Sequence, residues 1–144
     1  MSFDIHLMCV RDGKGATFPR ELFEEIMGRG AIDPDFPLWA VTYADGGSQI
    51  IGADEENLDG AMFNHFGGDT FFDRLWGLAD RTNSFFWWPN THRSVAITRR
   101  DIISHIPDGA LDGLGEPYFV QTGKELENAI YRGIDRNQPR TPTG

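Results

Sequence analysis

A chain of 144 residues has the length of one domain, and its 40% hydrophobic content can build a core without a disulfide or a structural metal. The formal net charge is −9, from 22 acidic and 13 basic side chains. Coulomb repulsion from this surplus argues against nucleic acid and anionic membrane as partners, and it is compatible with a basic partner. No apolar run is long enough to span a membrane, and no secretory pattern opens the chain, so the expected location is the cytoplasm.

The first half of the chain predicts a strand, a helix and three further strands. Residues 3–10 alternate as a strand does, with Phe3, Ile5, Leu7 and Cys9 on one face and Asp4, His6, Met8 and Val10 on the other. A helix is predicted to open at Pro19 and to end at Gly28 or Gly30. Residues 38–44 and 48–53 read as a hairpin around Asp45-Gly46-Gly47, and residues 61–66 as a fourth strand.

The second half predicts helices and strands in turn. A helix capped by Asp69 or Thr70, with Asp73 three residues after Thr70 as in a capping box, runs to Asn83. The strand that follows pairs with residues 94–97 through a turn at 89–91.

Two further helices are predicted beyond this hairpin. The first is capped by Thr98 and broken by Pro107, and the second is capped by Thr122 and ended by Gly133. A short strand, residues 118–120, lies between them. Residues 135–144 are predicted to be a flexible polar tail, which leaves residues 1–134 as a single domain.

The order of these elements predicts an α+β fold. Hairpins dominate, so we expect one twisted, mainly antiparallel sheet with about four helices packed on it. If the helices lie on one face, the other face stays partly exposed to water.

Four consecutive aromatic residues make residues 84–88 the most distinctive strand. Alternation places Phe85 and Trp87 on one face and Phe86 and Trp88 on the other. Tryptophan and arginine are enriched at interface hot spots, so Trp87, Trp88, His92 and Arg93 are candidate binding residues. The alternative is that these rings belong to the core and that the arginine is structural.

Familiar cofactor motifs are missing from the sequence. Gly123-Lys124 lacks the upstream glycine of a phosphate-binding loop, and Phe18 stands where a dinucleotide motif needs its third glycine. The acidic segment 55–60 aligns poorly with a calcium loop because Phe66 occupies the position of the bidentate glutamate. We therefore predict no cofactor and no metal.

A histidine site is the second possibility. Asp4, His6 and His65 converge if the first and fourth strands are neighbours, and such a group suits acid–base chemistry or ligand binding. The alternative is a set of separate histidines at the rim of the sheet.

Four strings in residues 3–132 resemble a loose group of small, uncharacterised bacterial proteins. They are Phe3-Asp4-Ile5-His6-Leu7, Phe18-Pro19-Arg20-Glu21, Trp87-Trp88-Pro89 and Leu114-Gly115-Glu116-Pro117. In size and acidity the chain is similar to immunity proteins, which neutralise toxins. That resemblance implies a non-enzymatic protein that binds a basic partner by occlusion, and it implies no catalytic residue.

Three hypotheses follow from the sequence. The first is a protein-binding module that uses an acidic surface and the aromatic hairpin. The second is a small enzyme or a ligand- or metal-binding protein with a histidine-containing site. The third is a homo-oligomer that buries Trp87 or Trp88 against its own copy.

Overall fold

The structure is a computed structural model that describes residues 4–32, 38–89 and 93–137. The strands in these segments are β1 (Ile5–Arg11), β2 (Lys14–Gly15), β3 (Phe18–Pro19), β4 (Ala31–Ile32), β5 (Leu38–Tyr43), β6 (Gly46–Ile51), β7 (Asn57–Leu58), β8 (Gly60–Gly67), β9 (Ser84–Trp87), β10 (Val95–Ile97) and β11 (Tyr118–Phe119). The helices are α1 (Arg20–Met27), α2 (Asp69–Thr82) and α3 (Gly123–Asn137), with a 3-10 helix at Arg100–His105.

One nine-stranded sheet organises the fold. Its order is β11-β10-β9-β1-β8-β6-β5-β4, and β2 pairs with the end of β1. All pairs in it are antiparallel except β10 with β11, which run parallel. The fold is therefore α+β with an open, mainly antiparallel sheet, as the hairpin-rich order of elements predicts.

The three α-helices pack on one face of this sheet. The buried cluster there includes Ile5, Leu7 and Cys9 of β1, Phe23 of α1, Leu75 of α2 and Leu126 of α3. Fully burying one such aliphatic or aromatic side chain stabilises the fold by about 1.5 to 3 kcal/mol, so this layer is the main source of stability. The face of β1 that alternation assigns to the core is the face that the helices cover.

The opposite face is covered at one end only. Val10, Phe85, Val95 and Ile97 are buried there against Ile102 and Ile106 of the 3-10 helix region. Further along the same face, the side chains of β1, β8 and β6 remain half exposed. The sheet thus has one dry face and one face that is partly open to water, as the sequence analysis expects.

The aromatic strand β9 contributes to both layers. Phe86 and Trp88 lie in the helix-covered core, whereas Phe85 and Trp87 belong to the cluster on the opposite face. The alternation predicted for this strand is confirmed, and it separates two neighbouring tryptophans into different environments.

The N-terminus of α2 differs from the prediction. The helix follows Gly68, and the backbone N–H of Thr70 donates to Oδ2 of Asp45 at 3.0 Å. The predicted capping box of Thr70 and Asp73 is wrong, because a carboxylate from the β5–β6 turn holds the N–H group instead. At the other end Asn83 is the left-handed C-cap with a φ of 56°, as predicted.

The helix predicted after Thr98 is a 3-10 helix rather than a capped α-helix. The hydroxyl of Thr98 is buried and has no hydrogen-bond partner among the described residues, so it caps nothing. Pro107 follows closely and cannot donate a backbone hydrogen bond, which leaves room only for a short, tightly wound segment.

The last helix begins as predicted and ends later than predicted. Thr122 Oγ1 accepts from the N–H of Glu125, and the Glu125 carboxylate accepts from the N–H of Gln121, both at 3.1 Å. The helix continues through Gly133 to Asn137, so the predicted end at Gly133 is wrong. A glycine inside a helix costs only about 0.5 to 1 kcal/mol, which does not by itself end it. Residues 138–144 of the predicted tail lie outside the described residues.

A small two-stranded ladder forms where the first helix is predicted to open. Phe18 and Pro19 pair with Leu58 and Asn57, and α1 starts only at Arg20. None of the helices in the described ranges is both long and apolar enough to cross a membrane.

Candidate functional site

A row of half-buried side chains crosses the open part of the sheet. Strand register places Trp87 directly opposite His6, His6 opposite Met62, and Met62 opposite Ile51. Directly paired residues in antiparallel strands point to the same face, so these four side chains form one continuous line over β9, β1, β8 and β6. All four keep partial exposure to solvent.

His6 and Trp87 are the centre of this row. The imidazole and indole rings are parallel within 6°, and their centroids are 3.9 Å apart. Burial lowers the pKa of His6 below its ordinary value of 6.5, and the nearby negative charge of Asp4 partly opposes this effect. His6 is therefore mainly neutral at pH 7 and presents a flat, polarisable ring pair to solvent.

A groove of about 400 Å³ lies above this row. Its lining includes His6, Met8, Met62 and Trp87, together with Ile51 and Gly60. The backbones of β1 and β8 approach so closely at Gly60 that an added Cβ would lie 2.0 Å from the carbonyl oxygen of Leu7. The floor of the groove is thus apolar and aromatic, with two flexible methionines that can adapt to a bound group.

Two carboxylates lie close to the residues of the groove. Asp59 lines it directly, and Asp4 lies near His6, close enough for its charge to act on the imidazole. Gly52 and Asp59 both line the groove, and the segment between them carries exposed Asp54, Glu55 and Glu56. We call residues 54–59 the acidic loop. An apolar floor beside an acidic loop favours a ligand that combines an apolar part with positive charge.

On the β2 side, the groove is lined by a glycine with open space around it. Gly15 pairs with Val10, and a Cβ added at Gly15 would meet no atom within 4 Å. The neighbouring Lys14 pairs with Arg11 and, by alternation, points to the opposite face. A side chain introduced at Gly15 would therefore face the groove, and one introduced at the neighbouring Lys14 would not.

Trp88 has no part in this surface. Its side chain is fully buried in the helix-covered core. Its indole nitrogen is also buried, with no hydrogen-bond partner among the described residues. Of the two adjacent tryptophans proposed from the sequence as binding residues, only Trp87 faces the groove, because alternation sends the next residue inward.

Arg93 holds two loops together. Its guanidinium donates to the carbonyl oxygens of Glu116 and Pro117, both at 3.0 Å, and lies 3.9 Å from the ring centroid of Tyr118. These contacts use the side chain for structure rather than for an exposed patch. His92, the fourth residue proposed for the binding hairpin, lies outside the described residues.

The structure brings together two of the three members of the predicted histidine site. β1 and β8 are neighbours, and Asp4 is near His6. His65, however, lies three positions beyond Met62, about 10 Å further along the strand. It is exposed and has a φ of 47° where the β6–β8 register shifts, so a bulge turns it away from the regular alternation. In the described ranges no three His, Cys, Asp or Glu side chains form a group that could hold a metal ion.

Cys9 does not join His6 in a catalytic pair. It points into the helix-covered core, and its thiol donates to the carbonyl oxygen of Thr82 at 3.0 Å. Burial raises the pKa of the Cys9 thiol, and a hydrogen bond to Ser84 only partly offsets this. The opposite-face placement that alternation predicts for these two residues is what the structure has.

Sequence reasoning did not identify Met62 and Ile51 as surface residues. Both alternate with buried neighbours, Phe63 and Ile50, and that alternation was a usable signal. It does not reveal which face is covered, because the covering 3-10 helix comes from a segment some 40 residues later in the chain.

Comparisons with protein-family models, curated proteins and solved structures gave no match to this chain. The fold and groove therefore define it only as an α+β protein whose open sheet face carries an aromatic, acid-bordered groove.

Proposed function

We propose that this chain is a non-enzymatic binding protein that receives a basic protein partner on the open face of its sheet. One observation carries the proposal: the uncovered row of Trp87, His6, Met62 and Ile51 lies beside the acidic loop. Aromatic and methionine side chains supply area that loses water on contact, and carboxylates attract a positively charged partner.

The charge of the whole chain supports this choice of partner. With a formal charge of −9, the chain attracts a basic protein over distances of about a Debye length, roughly 8 Å at physiological salt. Electrostatic attraction of this kind acts mainly on the association rate, which should fall as salt rises.

The narrower form of the proposal is that the partner is a basic toxin and that the chain is immunity-like. A protein of this class acts by covering its partner, so it needs a contact surface and no catalytic group. The groove supports this form of the proposal because it offers such a contact surface. A neighbouring gene for a basic toxin would support this form.

The test uses the two positions of the β1–β2 hairpin. Gly15→Trp puts a large ring at the groove, and Lys14→Trp puts the same ring on the other side of the hairpin. We expect a basic partner, captured from cell extract and then purified, to bind the wild-type chain and the Lys14→Trp variant equally and to bind Gly15→Trp at least about tenfold more weakly. Both variants should unfold at the same temperature as the wild type. Equal affinity for all three chains, or a partner whose association rate ignores salt, contradicts the proposal.

A further inference from the structure

We infer that the groove is built to take a lysine or arginine side chain of the partner, and that this chain binds it only while His6 carries no charge. This inference rests on the proposed function and specifies its chemistry. It makes His6 the residue that determines specificity for the bound group.

The shape and lining of the groove suit the stem of such a side chain. Lysine and arginine carry three or four methylene groups that pack on apolar surface while the charged end stays hydrated or paired. Met8, Met62 and Trp87 provide that apolar surface. A volume of about 400 Å³ accommodates a long side chain with neighbouring backbone.

The charged end finds acceptors at the borders of the groove. Asp59 lines the groove, and Asp4, two residues before His6, lies close enough for its charge to act on the imidazole. A neutral imidazole also has one ring nitrogen that accepts a hydrogen bond. A cation within this set is paired, whereas an uncharged isostere leaves the carboxylates without a partner.

The position of His6 makes its protonation state decisive. The strands that flank it, β8 and β9, present Met62 and Trp87, which carry no charge. The carboxylates around the groove are Asp4, which precedes β1 and whose charge acts on the imidazole, and Asp59, which precedes β8 and lines the groove. Protonation therefore places the only positive charge among these groups in the middle of the groove, where it repels a second cation and competes for the same carboxylates.

The ring stack fixes the position of this charge. The imidazole lies parallel to the indole of Trp87, with ring centroids 3.9 Å apart, and this contact holds the ring in the row. Once it is charged, His6 keeps its place in the row, and its charge stays in the groove. The groove then contains its own cation in place of the partner's.

The experiment uses two small probes and two chains. Nα-acetyl-lysine methylamide is titrated against Nα-acetyl-norleucine methylamide, which has a similar stem without the charge. Backbone amide NMR resonances of Gly60 and Met62 report groove occupancy at pH 7.5 and pH 5.0. The second chain is His6→Phe, which retains a ring against Trp87 and cannot ionise. All other ionisable groups still titrate in this variant, so any pH effect that they cause appears in both chains.

For the wild type we expect the lysine probe to bind at least about fivefold more tightly than the norleucine probe at pH 7.5, and to lose at least about fivefold in affinity at pH 5.0. His6→Phe should lose less than twofold over the same range. Equal affinity for the two probes, or a pH effect that persists in His6→Phe, overturns the inference.

The proposed function is judged separately, by the Gly15→Trp and Lys14→Trp variants. If Gly15→Trp blocks the protein partner and the lysine probe fails to bind, the inference fails and the proposed function stands. If Gly15→Trp binds the partner as the wild type does, the proposed function fails, and this inference falls with it.

Discussion

The carboxylate of Asp45 accepts a hydrogen bond from the backbone N–H of Thr70 at 3.0 Å, across 25 positions of sequence. The first N–H groups of a helix have no acceptor within the helix, and negative charge near them is favourable. The β5–β6 turn therefore caps α2, and the hairpin and the helix stabilise each other.

We expect Asp45→Ala to lower the Tm by a few degrees, because it removes this cap. The Thr70 N–H bond is the main reason that the pKa of Asp45 lies below its ordinary value of 3.8. A carboxyl group with a lowered folded-state pKa stabilises the fold above the unfolded value, and this contribution is lost as the pH falls through the folded value. The difference in unfolding midpoint between wild type and variant should thus shrink below about pH 3.8. Asp54→Ala, in the acidic loop, is the control and should change little.

His6 is a basic group, and its titration should change the stability of the fold at a higher pH than that of Asp45. Because burial lowers its folded-state pKa below 6.5, the unfolded chain binds the proton more readily than the folded one. We expect stability that is full above pH 6.5 to fall as the pH drops from 6.5 through the folded-state pKa. Urea unfolding between pH 7.5 and pH 5.0 should show a smaller fall for His6→Phe than for the wild type. Identical pH profiles for the two chains would show that His6 titrates in the fold as it does in water.

The adjacent tryptophans should respond differently to truncation. Trp88 is fully buried, so Trp88→Ala should destabilise the fold by about 3 to 5 kcal/mol. Trp87 is half exposed, so Trp87→Ala should cost less stability and should weaken binding of the lysine probe. Denaturant unfolding and the NMR titration together separate these effects. A loss of stability at Trp87 as large as that at Trp88 would contradict the placement of Trp87 at the groove.

Cys9 should be unreactive in the folded protein. Its thiol is buried, hydrogen-bonded to the carbonyl of Thr82, and has a raised pKa because of burial. We expect a disulfide reagent to modify it at least about 100-fold more slowly in the native chain than in urea, at a rate set by opening of the fold. Cys9→Ala provides the blank. Labelling of the native chain at the rate of a free thiol would contradict its burial.

The sequence predicts a helix end correctly where the residues that form its cap are neighbours in the chain. Thr122 and Glu125 form their capping interactions within four residues, and Asn83 takes the left-handed position beside its own helix. Thr70 was misassigned because the acceptor for its N–H lies in a distant hairpin. The short β3–β7 ladder has no local signal either, because two residues per strand are too few to leave a periodic pattern.

The candidate site was predictable only in part. Alternation correctly separated Trp87 from Trp88 and His6 from Cys9, because side chains in a strand point to opposite faces in turn. It could not show that Trp88 faces the covered side, nor that Arg93 is bound to the carbonyls of Glu116 and Pro117. The contacts of Arg93 depend on a loop that lies more than 20 residues away.

The amino-acid order alone determined the class of fold, the two faces of each main strand and the surplus of negative charge, since all three arise from local geometry or simple counting. The tertiary structure decided which half of one sheet face remains open and brought Trp87, His6, Met62 and Ile51 into a single row. That row is formed by strand register, and register is set by the packing of helices and turns from across the whole chain rather than by any one segment.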